Sequence, residues 1–139
     1  MKWYGIGDIL EPLDRAPAAS GAAVVLLDSE ELAHEPALPG LEGVLCHTPS
    51  ARDARVCKAE VHANFLSGTL ALPLTRRDGT RLCCGYLMTE KRVVLVDDGA
   101  LLEPYIRHIV KEKHLMEHSV GRFLYNLLEL LISRDLHRL

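Results

Sequence analysis

The dipeptide Asp78-Gly79 constrains this chain more than any other pair of residues. Between two alternating apolar runs, Asp-Gly favours the left-handed backbone that a two-residue hairpin turn requires. The run before it, 65–74, places Leu66, Gly68, Leu70, Leu72 and Leu74 on one face and Phe65, Ser67, Thr69, Ala71 and Pro73 on the other. Side chains alternate along a strand, so the leucine-bearing face is expected to meet the core. The run after it, 81–88, leads through a turn at Glu90-Lys91 into an apolar strand at 92–96. Residues 56–62 supply one more strand ahead of Ala63-Asn64. The prediction is an antiparallel meander over about 56–96.

On either side the period changes. Residues 2–6 read as a short strand carrying Trp3 and Tyr4, and 22–27 as a continuous apolar strand inside the sheet. The Pro/Ala/Gly-rich segment 11–21 reads as a loop. Asp28 or Ser29 can cap a short helix that ends before Pro36. Residues 43–46 suggest another short strand, and 48–54 a turn or one helical turn. After Asp97-Asp98-Gly99 the chain becomes helical: Leu101, Leu102, Tyr105, Ile106, Ile109 and Val110 share one face, with Pro104 tolerated in the first turn. Ser119 can cap a last helix over 120–139, whose apolar arc is wider than one packing face needs. No glycine or proline ends that helix, so it is expected to continue.

The fold class expected is α/β, a mixed sheet containing the meander and flanked by helices. Residues 1–118 would form the α/β domain, and 119–139 the start of a stalk-type helix packed on it. Composition fits one globular unit: 139 residues, 48% hydrophobic and 25% charged. A net charge of −3 supplies no basic face for nucleic acid. No run approaches the roughly 20 apolar residues that cross a bilayer, and the first residues lack the apolar core of a signal peptide. A soluble chain on the cytoplasmic side, not inserted in the membrane, is the expectation. Cys46, Cys57, Cys83 and Cys84 fit neither a redox pair nor a zinc framework, and are expected to be buried reduced thiols.

Three segments, in order, resemble the CorA/ZntB family of divalent-cation transporters. Lys58-Ala59-Glu60 with Asn64-Phe65-Leu66 is similar to the family's "K-V-E" strand and the segment that follows it. Residues 85–96, GYLMTEKRVVLV, resemble its "fyLt.n.lvtv" hairpin, and 121–132, GRFLYNLLELLI, its "p.efLlyllDaLvd.y" helix. The match covers roughly 56–139. It implies the N-terminal cytoplasmic domain of a magnesium or zinc transporter, at the cytoplasmic face of the inner or plasma membrane. Its partners would be its own transmembrane segments and four further copies in a homopentamer. An acidic pair usual before "K-V-E" is absent, with Thr48-Pro49 in that neighbourhood, and these residues hold neither the membrane helices nor the Gly-Met-Asn pore signature.

Several residues invite a metal reading, for Mg2+ or Zn2+. Asp97 and Asp98, with Asp8 or Glu103, offer hard oxygen ligands. His114 and His118 are four apart, which puts two imidazoles on one face of a helix. Acidic turn residues and a solvated helix connection account for both patterns without a metal. Catalytic patterns are missing: there is no Gly-x-Ser-x-Gly elbow, phosphate loop or dinucleotide fingerprint. Cys46 and His47 are neighbours that would point apart in a strand. The expectation is a non-enzymatic regulatory and assembly domain, with a free-standing interaction or scaffold module of the same fold as the alternative.

Overall fold

The computed structural model describes residues 1–73, 81–112 and 119–133. Strands β1 (Lys2–Ile6), β2 (Leu10–Leu13), β3 (Ala23–Leu27), β4 (Lys58–Val61), β5 (Leu66–Pro73), β6 (Arg81–Met88) and β7 (Arg92–Asp97) form one sheet in the order β2-β1-β3-β7-β6-β5-β4. Helices α1 (Ser29–Ala33), α2 (Glu103–Glu112) and α3 (Val120–Ser133) flank it. The β3–β7 pair is parallel, and the other neighbours are antiparallel. The sheet is therefore mixed, with helices on both faces, as expected. The meander is present: β5 pairs with β6 from Leu66↔Met88 to Pro73↔Arg81, and β6 pairs with β7. The Asp78-Gly79 turn between them lies outside the described residues.

The apolar runs are continuous because both faces of the central strands are covered. Val24, Leu26, Val93 and Leu95 face the larger core with Leu102, Ile106 and Ile109 of the α2 segment and Phe123, Leu127, Leu130 and Leu131 of α3. Ala23, Val25, Val94 and Val96 face the smaller core with Trp3, Leu38, Leu41 and Ala51. On β5, Leu66, Leu70 and Leu72 pack against the larger core. On its opposite face Ser67 and Thr69 are also buried, and Thr69 Oγ1 donates to the Val56 carbonyl at 2.7 Å.

Local chemistry sets the helix ends. Asp28 caps α1 through a reciprocal pair of hydrogen bonds with Glu31, and Ser119 Oγ accepts from Arg122 N at the start of α3. Three expectations are corrected. The segment 11–21 is not wholly loop, because its first residues belong to β2, where Pro12 sits on an edge strand that needs no further donor. Residues 43–46 form no strand: Gly43 has φ +79° and the chain winds into a 3-10 turn, Leu45–His47. Only Cys84 is fully buried, for Cys83 is half-buried and Cys46 and Cys57 are exposed in segments that run over the surface.

Candidate functional site

The parallel pair β3–β7 brings two strand C-termini together, Leu27-Asp28 and Asp97-Asp98. In α/β sheets this is where ligands commonly bind. Asp97 and Asp98 are consecutive, so the pleat sends them to opposite faces. Asp97 is buried and accepts from Leu102 N at 2.8 Å and Gly99 N at 3.4 Å, which ties the turn into α2. Burial raises its pKa above the ordinary carboxylate value, although those backbone donors oppose the shift. Asp98 turns to the other side and accepts from Ser29 N at 2.6 Å and Ser29 Oγ at 2.9 Å. Ser29 Oγ in turn accepts from Ala51 N at 3.1 Å, and Arg52 Nε approaches Asp98 at 3.9 Å. Asp28 completes the group by capping α1.

These carboxylates are thus already hydrogen-bonded, chiefly to main-chain N–H groups. A divalent ion there would have to displace those donors, and the division of Asp97 and Asp98 between two faces gives it no shared pair. Glu103 instead pairs with Lys2 Nζ, which joins α2 to β1. Asp8 lies between β1 and β2. His114 and His118 lie outside the described residues. Among the described residues no group of three or more His, Cys, Asp and Glu is arranged to hold a metal. Nor is any helix there long and apolar enough to cross a membrane.

The tertiary structure assembles an aromatic group that the sequence does not signal, because its members come from separate segments. The His62 ring stacks on Phe65 at 4.2 Å, and His47 of the 3-10 turn lies 5.1 Å from Phe65 and 5.7 Å from His62. The Glu60 carboxylate stands 3.7 Å from His62 Nε2. Beside Asp97, the register partner Cys84 has its thiol pKa pushed up to about 12, first by burial and then by that carboxylate. A thiol so shifted stays protonated and unreactive.

No protein-family model matches this chain, and no curated protein does. The solved soluble domain of CorA from Methanocaldococcus jannaschii matches with a TM-score of 0.65 and 19% identity, over 98% of this chain and 59% of that one. The two share a fold. The match runs through nearly all of the chain, including the residues before 56, where the sequence resemblance is weak. The chain spans 59% of the length of that solved chain.

Proposed function

We propose that this chain is a regulatory and assembly domain of a CorA-like magnesium or zinc transporter and contains no pore of its own. The observation that carries the reading is the structural likeness over 98% of the chain to a CorA soluble domain. A mechanism follows from how α3 is held. Val120, Phe123, Leu127, Leu130 and Leu131 lock it to the same core as α2 and the sheet, so a shift of the sheet moves α3 as a lever. In the proposed protein, divalent ions change how copies meet, α3 passes the change to a stalk, and the pore responds. That coupling requires different ion affinities in the two arrangements. The candidate ligands are Asp97, Asp98, His114 and His118, with Asp97 and Asp98 acting only as single ligands on opposite faces in place of their present donors, and the assembly is a homopentamer joined to its own transmembrane segments at the cytoplasmic face of the membrane.

A specific observation favours a second reading, a free-standing interaction module of the same fold. The acids at the strand ends are engaged by main-chain donors, which suits a structural role. Titration calorimetry with Mg2+ and with Zn2+, paired with sedimentation velocity, separates the two. The transporter reading expects heat at millimolar ion together with a change in assembly; silence in both sinks the sensing role. The genetic test is independent: two hydrophobic spans joined by Gly-Met-Asn in the full coding sequence support a transporter, and their absence leaves the module.

A further inference from the structure

Between the end of α1 and the 3-10 turn Leu45–His47, the chain folds around a cavity of about 660 Å3. Sites of this size commonly hold small molecules. Its apolar wall includes Leu32, Leu38, Leu41 and Leu45, and Leu38 and Leu41 also belong to the smaller core. Glu35 and Glu42, both exposed, are among the lining residues, none of which is basic, and the Glu42 charge also acts on Arg92. Arg92 lies behind this wall with its donors committed to carbonyls, Pro39 among them at 3.1 Å. That bond, with turns closed by Leu41 N to Leu38 O at 3.1 Å and Thr48 N to Leu45 O at 3.0 Å, holds the cavity open before any ligand arrives.

One detail of the lining is unusual. Glu35 follows α1 with φ +51°, a left-handed conformation that glycine adopts freely and glutamate does not. A glycine there would relieve that conformation.

We propose that this cavity binds a small apolar molecule carrying one cationic head group, an aryl- or alkylammonium ion. Its body packs on the leucines and its charge faces Glu35 and Glu42. This assignment stands apart from the transporter reading, and the metal titration does not bear on it. The test is NMR titration of the full chain with 4-phenylbutylammonium, 4-phenylbutanol and 4-phenylbutanoate, followed at the amides of residues 32–48. The ammonium ion is expected to saturate and to bind about fivefold more tightly than the alcohol, the scale of two solvent-screened charge pairs. The carboxylate should bind more weakly than either. In the variant with Glu35→Gln and Glu42→Gln the ammonium ion should fall to the affinity of the alcohol, whose unchanged binding reports an intact cavity. Glu35→Gly should raise the thermal midpoint while weakening the ammonium ion. Equal affinity for the three probes, or a preference for the cation that survives the double substitution, overturns the proposal. So does saturation by a basic amphipathic peptide with none by the ammonium ion, which would make the cavity a protein-docking site.

Discussion

Arg92 is fully buried at the start of β7, and its guanidinium is spent on the main chain. Nε donates to Pro39 O at 3.1 Å, one terminal nitrogen to Gly21 O, and the other to Pro17 O at 3.1 Å and Ala18 O at 2.7 Å. The group also lies 5.5 Å from the centre of the Trp3 ring. One side chain therefore pins two loops to the middle of the sheet. Arg92→Met should cost about 3–5 kcal/mol, the usual penalty for breaking a buried charged network. Arg92→Lys should recover little, since an ammonium lacks the planar fork that reaches several carbonyls at once. Urea denaturation measures both, and a Lys variant as stable as the native chain would contradict this role. Asp97 makes a pH prediction. With its folded pKa raised, the folded chain keeps a proton that the unfolded chain releases. Its contribution to stability is therefore greatest below the unfolded carboxylate value and falls as pH climbs through the raised one. Asp97→Asn cannot ionise, so it should gain on the native chain as pH rises from below the ordinary carboxylate value through the raised one. A constant difference between the two chains across that range would remove the claim.

At the scale of elements, close approach decides which residue types are allowed. A Cβ on Gly85 in β6 would lie 1.8 Å from the Pro49 carbonyl oxygen, so only glycine lets the segment before the turn Ala51–Asp53 rest on the sheet. Gly85→Ala should cost about 3 kcal/mol, at the upper end of ordinary overpacking, read by thermal or urea unfolding. Helix α3 gives a contrast along one element. Phe123 is fully buried, whereas Ile132 is 73% exposed. Phe123→Ala should cost about 3–5 kcal/mol, while Ile132→Ser should stay within about 0.5 kcal/mol. A large loss at Ile132 in the isolated chain would show that this position is covered in solution. At the sheet edge, β4 is exposed along its length and carries Lys58 and Glu60, charges that discourage pairing with a further strand.

For the whole molecule, one sheet separates two cores yet belongs to both. Alternate residues of β3 and β7 go to opposite sides, so neither core survives loss of the central strands. Unfolding should therefore be a single cooperative event. The only tryptophan, Trp3, reports the smaller core, while far-ultraviolet circular dichroism follows chiefly α2 and α3 on the larger one. The two transitions should coincide in urea, and separate midpoints would show that the layers unfold apart. The same arrangement underlies the proposed lever, since α3 can transmit movement of the sheet only while both layers hold.

Local patterning was enough to specify the meander, the two amphipathic helices, the cap at Ser119, and the β5 face that packs on the larger core, while it left the first cap open between Asp28 and Ser29. Each depends on residues within a few positions of one another, through the alternation of a strand, the period of a helix or the reach of a capping oxygen. Pairing across the chain was another matter. Whether Glu11–Leu13 joined a sheet depended on β1 being beside it, and the parallel β3–β7 contact spans sixty-odd residues that no local period links. The acidic pair was visible as Asp97-Asp98, but not its engagement by Leu102 and Ser29. The cavity beside α1 and the His47–His62–Phe65 group have no sequence signature at all. The cavity is wrapped by the single stretch 32–48, whose path depends on Leu38 and Leu41 packing into the smaller core, and the aromatic group forms only where the 3-10 turn meets the start of β5.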